Sequence, residues 1–148
     1  MDTRAQIDAY IASQPEAKRN EMLTLHQLIF GVSPDSQLSF LDGRNSDGKI
    51  VTNPNIGYGL QTIRYADGST REFYKVGISA NTAGISVYIV GLEDKQYLSQ
   101  TYGKRLGKTK ITGYCIKFRS LADIDIRVLE EMIAEHMARE PAHSLGTA

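Results

Sequence analysis

The sequence predicts an α+β protein, in which an antiparallel sheet of about five strands carries N-terminal and C-terminal helices packed on one face. Apolar residues recur with helical spacing near both ends of the chain, whereas between residues 37 and 118 they alternate with polar residues in short runs. Asn-Pro and Asp-Gly pairs separate several of these runs, as is typical of connections between antiparallel strands. We expect residues 1–140 to form a single domain and residues 141–148 to form a flexible tail.

Four stretches have helical character. Residues 3–12 place their apolar side chains on one side. The sequence from Ser13 to Glu16 resembles a capping box, which would begin a second helix that runs to about Phe30. A third stretch lies near residues 94–102, and a fourth follows Asp125, which can cap it. The buried stripe of this last helix is predicted to consist of Leu129, Met132, Ile133 and Met137.

The period-two segments predict strands over residues 37–41, 56–65, 71–79, 85–91 and 110–118. A four-residue loop from Ala80 to Ala83 would set Ile78 opposite Ile85, and Val76 opposite Val87. A three-residue loop from Asp67 to Ser69 would set Arg64 opposite Glu72. We prefer this loop to a two-residue turn, because the shorter turn would set Arg64 against Arg71.

This register divides the sheet into two different faces. The core face, which the helices should cover, is predicted to carry Tyr58, Leu60, Val76, Ile78, Ile85, Val87 and Ile89. The second face would carry three rows: Gly59, Gly77 and Ser86; then Gln61, Lys75 and Tyr88; then Ile63, Phe73 and Val90.

The second face suggests a binding groove, because glycines in strands allow close approach and the next row is polar. The candidate ligand-binding residues are Gly59, Gln61, Lys75, Gly77, Ser86 and Tyr88. A loop of this chain or another subunit packed on the glycines is the alternative. Because the third row is apolar, we expect a ligand, a subunit or a loop to cover this face.

Charge is distributed unevenly along a chain whose net charge is zero. Residues 48–120 carry the basic excess, and the segments on either side are acidic. A candidate anion-binding loop contains Lys104, Arg105, Lys108 and Lys110, and a solvated turn is the alternative. The Gly-Lys-Thr at residues 107–109 is not a phosphate-binding P-loop, because Tyr102 occupies the position of the first glycine.

No pattern in the sequence identifies catalytic residues, a metal site or a cofactor. The one cysteine, Cys115, is interpreted as a small buried hydrophobe, and no Ser-His-Asp arrangement can be read. Glu131 and Glu135 share a helix face beside His136, which is the only suggestion of a metal.

The composition predicts a cytoplasmic protein, because no signal-peptide stretch or membrane span can be read. The expected partner is a small molecule or a protein. Neither a membrane nor a nucleic acid is expected, and a homodimer is compatible with the sequence.

Several blocks, taken in order, resemble the YdhG-like proteins, a family of unknown function that is described by some as frataxin-like. The blocks are Ile56-Gly57-Tyr58-Gly59, Val76-Gly77-Ile78-Ser79, Ile85-Ser86-Val87-Tyr88, Leu106-Gly107-Lys108, Cys115-Ile116-Lys117-Phe118, Ser120-Leu121 and Asp123-Ile124-Asp125. The resemblance covers about residues 5–138 and rests mainly on the final blocks.

The resemblance implies an α+β fold with terminal helices against an antiparallel sheet, and for some members an iron-chaperone role. No metal ligand carries over to a residue of this chain, whose acidic residues form no dense ridge. Three functions are therefore considered: a non-catalytic binding module that uses the second sheet face, a frataxin-like iron chaperone, and an enzyme acting on a small molecule. We favour the first.

Overall fold

The computed structural model describes residues 2–92 and 94–138, so the predicted tail at 141–148 lies outside the described residues. Within these ranges the helices are α1 (Thr3–Ala12), α2 (Glu16–Val32), α3 (Tyr97–Leu106) and α4 (Ile126–Ala138), with a 3-10 turn at Leu121–Asp123. The strands are β1 (Leu38–Leu41), β2 (Asn55–Tyr58), β3 (Gln61–Arg64), β4 (Thr70–Phe73), β5 (Val76–Asn81), β6 (Gly84–Ile89), β7 (Lys110–Thr112) and β8 (Cys115–Phe118). No helix in these ranges is long and apolar enough to cross a bilayer.

The predicted α+β class is confirmed, with slightly more strands than expected. Six strands form one antiparallel sheet in the order β1-β2-β5-β6-β8-β7, and β3 pairs with β4 in a separate two-stranded hairpin. We call the larger sheet the main sheet and the β3–β4 pair the hairpin arm.

One face of the main sheet forms the core with the four helices. Its central row is Ile56, Ile78, Val87 and Ile116, which pair across four neighbouring strands and are fully buried. The helices contribute Ile7, Ile11, Met22, Leu25, Ile29, Leu98, Leu106, Leu129, Met132 and Ile133. Burial of each large aliphatic side chain contributes about 1.5–3 kcal/mol. The predicted core face is confirmed except for Leu60, which is 44% exposed.

The helix ends show one confirmed cap and one incorrect one. Asp125 Oδ1 accepts a hydrogen bond of 3.0 Å from the Arg127 N–H, as predicted for the start of α4. The predicted capping box at Ser13 is wrong, because the Ser13 hydroxyl donates to the Tyr10 carbonyl (2.6 Å) at the end of α1. The N-cap of α2 is Pro15, which has no capping side chain.

Both hairpin registers differ from the predicted ones. Ile78 pairs with Val87, because Asn81 pairs with Gly84 and only two residues lie between them. The Asn81 Oδ1 atom accepts the Ala83 N–H at 2.9 Å and so stabilises the shorter turn. Since the slip is two residues, each side chain keeps its predicted face.

In the hairpin arm, Arg64 pairs with Thr70, so the predicted pairing with Glu72 is wrong. The loop closes one residue earlier than expected, through a 2.9 Å hydrogen bond from the Tyr65 N–H to the Ser69 carbonyl. Asp67 Oδ1 accepts from the Ser69 N–H and hydroxyl, and Gly68 has a φ of +87° inside this loop.

Candidate functional site: a cleft between the hairpin arm and the main sheet

Two of the predicted strands, 56–65 and 71–79, are each interrupted, and these interruptions create the site. The segment predicted at 56–65 breaks between β2 and β3, where Gly59 has a φ of +82°. The segment predicted at 71–79 breaks at Tyr74 and Lys75, between β4 and β5. Glycine adopts this positive φ without steric cost. The two strands therefore leave the main sheet together as the hairpin arm.

The break folds Tyr74 back over the second face of the main sheet. Gly57 and Gly77 pair across β2 and β5, and the Tyr74 ring lies against both. A Cβ on Gly57 would come within 2.3 Å of Tyr74 Cδ2, and one on Gly77 within 2.5 Å of Cε1. The Tyr74 side chain thus covers Gly57 and Gly77. Of the predicted row of Gly59, Gly77 and Ser86, it is Gly77 that lies against this ring, whereas Gly59 faces Met137 and Lys75.

A cleft of about 640 Å³ lies between the hairpin arm and the main sheet. Five aromatic side chains contribute to its lining: Tyr65, Phe73, Tyr74, Tyr88 and Tyr114. Phe73 stacks on Tyr74 with ring centroids 4.2 Å apart, and Tyr114 lies 6.4 Å from Tyr88. Ile63 and Val90 add apolar surface. Such a lining suits a ligand with a flat apolar ring.

Polar groups line the same cleft. The Arg71 guanidinium lies over the Phe73 ring, 4.6 Å from its centroid, and Asp94 and Lys95 lie at the rim. Asn55 also lines the cleft, and among the residues described its buried Oδ1 atom has no hydrogen-bond partner. A buried acceptor without a partner costs about 1–3 kcal/mol.

Gln61 attaches the hairpin arm to the main sheet. Its Nε2 atom donates to the carbonyl oxygens of Tyr74 (3.1 Å) and Val90 (2.9 Å), and its side chain is buried. Gly91 leaves room for the amide, since a Cβ there would come within 2.5 Å of Gln61 Oε1. One side chain thereby fixes the position of the arm relative to β6.

Two tyrosines that line the cleft, and the cysteine that pairs with one of them, are held in their neutral forms. Burial raises the pKa of the Tyr74 phenol well above its ordinary value, and the neighbouring Tyr88, Tyr114 and Cys115 add to this effect. Burial likewise raises the pKa of Tyr88 and of the Cys115 thiol. At neutral pH these groups are uncharged, so the local charge comes from Arg71, Lys95 and Asp94.

The six predicted ligand-binding residues do not lie together. Gly77 lies beneath Tyr74, and Tyr88 lines the cleft. Ser86 is buried, and its hydroxyl oxygen accepts a hydrogen bond of 2.9 Å from Asn81 Nδ2 on the neighbouring strand β5. Gly59 lies at the break and Gln61 holds the arm. Lys75 Nζ donates to the Met137 carbonyl (3.3 Å) in α4.

The predicted anion-binding loop is likewise divided. Lys104 and Arg105 belong to α3, and Arg105 makes two hydrogen bonds to the Glu131 carboxylate, of 2.8 and 3.1 Å. This contact lowers the pKa of Glu131 and raises that of Arg105. Lys108 and Lys110 instead line a groove of about 440 Å³ at the other end of the second face, together with Lys117 and Arg119.

The carboxylates of the iron-chaperone alternative are engaged by protein groups. Glu135 accepts a hydrogen bond from the Tyr97 hydroxyl and another from the Tyr102 hydroxyl, the latter at 2.7 Å. His136 Nε2 lies 2.7 Å from the Val90 carbonyl oxygen. Within residues 2–92 and 94–138, no three His, Cys, Asp or Glu side chains form a group that could hold a metal ion.

Sequence reasoning missed Tyr65, Tyr74, Tyr114 and Arg71 as parts of a site. The available signal is the run Phe73-Tyr74-Lys75-Val76, in which the alternation of apolar and polar residues fails. A failure of period two inside a predicted strand indicates a break or a bulge. If the strand is continued through this run, alternation with Val76 places Tyr74 on the core face. The cleft is then not predicted.

Comparisons of the chain with protein-family models, with curated proteins and with solved structures find no match. The resemblance to YdhG-like proteins therefore stays a prediction.

Proposed function

We propose that this chain is a cytoplasmic, non-catalytic binding module that takes a small molecule with a flat apolar ring in the cleft between the hairpin arm and the main sheet. The observation that carries the proposal is the aromatic lining of this cleft. Its five aromatic rings include Tyr114, which is 57% exposed. Several aromatic side chains around one concave surface, with an exposed ring among them, are typical of binding sites.

The polar groups of the cleft support a ligand that also carries polar substituents. Arg71, which is exposed and lines the cleft, is suited to an acidic group. The pKa values of Tyr74, Tyr88 and Cys115 are all raised, so none of these groups is an ionised nucleophile at neutral pH. This chemistry favours binding over catalysis.

Binding of the dye 1-anilinonaphthalene-8-sulfonate, followed by fluorescence, tests the cleft directly, because the dye combines aromatic rings with an anion. Tyr114→Ala should weaken binding about 3- to 10-fold, which is the loss of one aromatic contact. Arg71→Ala should weaken binding of the dye more than Tyr114→Ala does. The matched control is Ile50→Ala, because Ile50 is 68% exposed and lies outside the cleft lining. Equal binding by the wild type and both cleft variants would contradict the proposal.

A physiological ligand can be sought with pooled metabolites in a thermal-shift assay. A ligand at about 100 times its Kd adds about 2.7 kcal/mol to the free energy of unfolding. A compound that uses the cleft should raise the Tm of the wild type and of Ile50→Ala, and raise the Tm of Tyr114→Ala less. Compounds that stabilise all three proteins equally bind elsewhere.

A further inference from the structure

The β7–β8 hairpin and the residues that flank it bring four basic side chains to one groove. Lys110 pairs directly with Lys117. Lys108 lies two residues before β7 begins, Arg119 directly follows β8, and both line the same groove as this pair. All four are exposed and line one groove of about 440 Å³, whose other lining residues include Asn81 and Thr109. We call these four residues the basic groove.

Repulsion among the positive charges of the basic groove lowers the stability of the protein when no anion is bound. Like charges directly opposite each other on neighbouring strands are destabilising. Among the described residues, the single ion pair joins Arg105 and Glu131, so none of the four basic side chains of the groove forms an ion pair with a described carboxylate. The groove therefore concentrates positive charge that an anion would neutralise.

We propose that the basic groove binds the phosphate groups of a nucleotide-sized ligand. Lys108 lies two residues from Lys110, and Arg119 lies two residues from Lys117, a spacing of about 7 Å in extended backbone. This length accommodates one or two phosphates, whereas a nucleic-acid backbone needs a basic track several nucleotides long. The zero net charge of the chain also disfavours a polyanion. Arg and Lys are the side chains that bind phosphate oxygens most strongly.

The position of the basic groove relative to the cleft defines the rest of the ligand. Tyr88 pairs with Cys115, and Ser86 pairs with Lys117, so Tyr88 lies one same-face row from the Lys110–Lys117 pair, at about 7 Å. Tyr114 lies beside Tyr88. A ligand whose ring contacts Tyr88 and Tyr114 can thus extend a phosphate to Lys117. The placement of the ring rests on the proposed function, whereas the placement of the phosphate does not.

Calorimetric titrations of the whole chain with three probes test this inference: pyrophosphate, adenosine and adenosine diphosphate. In the double variant Lys110→Gln/Lys117→Gln, affinity for both phosphate probes should fall about tenfold or more, because two charge-assisted contacts are lost. Affinity for adenosine should not change. The matched control is Lys49→Gln/Lys104→Gln, which removes two exposed positive charges outside the groove and should alter affinity less than about twofold.

The possible results separate the two halves of the ligand. Loss of phosphate affinity in the groove variant alone supports the basic groove. Equal losses in both double variants, or phosphate probes that do not bind the wild type, overturn it. If Tyr114→Ala leaves the affinity for adenosine diphosphate unchanged, the placement of the ring is overturned and the phosphate site stands. An octathymidine strand that binds about tenfold tighter than adenosine diphosphate would overturn the nucleotide-sized ligand in favour of single-stranded nucleic acid.

Discussion

The Tyr74 ring lies on the backbone of Gly77, so closely that a Cβ there would come within 2.5 Å of Tyr74 Cε1 and 2.7 Å of its hydroxyl oxygen. Tyr74 is buried although it lies on the face of the sheet opposite the helices. The ring therefore gives the second face a small apolar core of its own, with Phe73 stacked above it. This contact supports the floor of the cleft.

Gly77→Ala should destabilise the protein by about 1–3 kcal/mol, because the added methyl group has no room beneath the Tyr74 ring. Urea unfolding measures the change. Gly31→Ala is the matched control, since a Cβ added there would meet nothing within 4 Å and alanine favours the α2 helix. That control should stabilise the protein by about 0.5–1 kcal/mol. A neutral Gly77→Ala would show that Tyr74 does not depend on the glycine.

Gln61→Leu should loosen the hairpin arm. The change removes both hydrogen bonds of the buried amide, and the two carbonyl oxygens that it satisfied lose a donor, at a cost of about 1–3 kcal/mol. Hydrogen exchange should be faster at the amides of β3 and β4 than in the wild type. Thr62→Ala is the control, because the neighbouring Thr62 is exposed. Unchanged exchange in Gln61→Leu would argue against this attachment.

The free energy of unfolding should fall as the pH drops below about 6.5, in part because of His26. Burial is the main cause that lowers the pKa of His26 in the folded protein, with Arg4 adding to the shift and Asp8 opposing it. Between the folded and unfolded pKa values the unfolded chain binds more protons, so stability rises with pH in that window and is complete above it.

His26→Gln should flatten this pH dependence while keeping a polar partner for the buried Tyr58 hydroxyl, which lies 2.6 Å from His26 Nδ1. Urea unfolding near pH 5 and near pH 7.5 measures the difference. Because other groups also titrate, the quantity compared is the change in slope between the variant and the wild type. Identical slopes would exclude His26 as a contributor.

Iron titration followed by calorimetry should give weak, non-stoichiometric binding, because Glu131 and Glu135 already accept hydrogen bonds from Arg105, Tyr97 and Tyr102. A saturable micromolar site that disappears in Glu131→Ala/Glu135→Ala would favour the iron-chaperone alternative instead. The single variant Glu130→Ala is the control, since this carboxylate is exposed on the same helix.

Lys110→Gln should stabilise the ligand-free protein by about 0.2–1 kcal/mol, because it removes the repulsion with Lys117 across the strands. The gain should shrink as salt is added, since salt screens exposed charges. Lys104→Gln serves as the control, because Lys104 lies on α3 and does not line the groove. A variant less stable than the wild type would mean that Lys110 makes a favourable contact.

The core face could be predicted from sequence because its signal is local. Alternation along each strand determines the face of the sheet on which Val76, Ile78 and Val87 lie. A two-residue error in the register leaves each side chain on the same face. The exact partners could not be predicted, because the Asn81 side chain selects a shorter turn than the one that the sequence indicated. The resulting slip changes neighbours without exchanging the faces.

The cleft could not be predicted because its cause is not local. The break at Tyr74 and Lys75 is stabilised by the Gln61 amide from another strand and by close approach of the Tyr74 ring to Gly57. Neither contact leaves a periodic signal. Of the basic groove, two residues were predicted: Lys108 and Lys110 belong to the loop that the sequence indicated. Lys117 and Arg119 lie near them only because β7 pairs with β8.

The hairpin arm is attached to the main sheet by contacts that do not depend on the side chains lining the cleft. Gln61 bonds main-chain carbonyls, which every residue type supplies, so the anchor does not depend on the side chains at positions 74 and 90. The arm's cleft-lining positions, which include Ile63, Tyr65 and Arg71, lie outside this anchor. Substitutions at these positions can therefore change the shape and polarity of the cleft while the arm stays joined to the sheet. The arm is thus suited to engineering of the selectivity of the cleft.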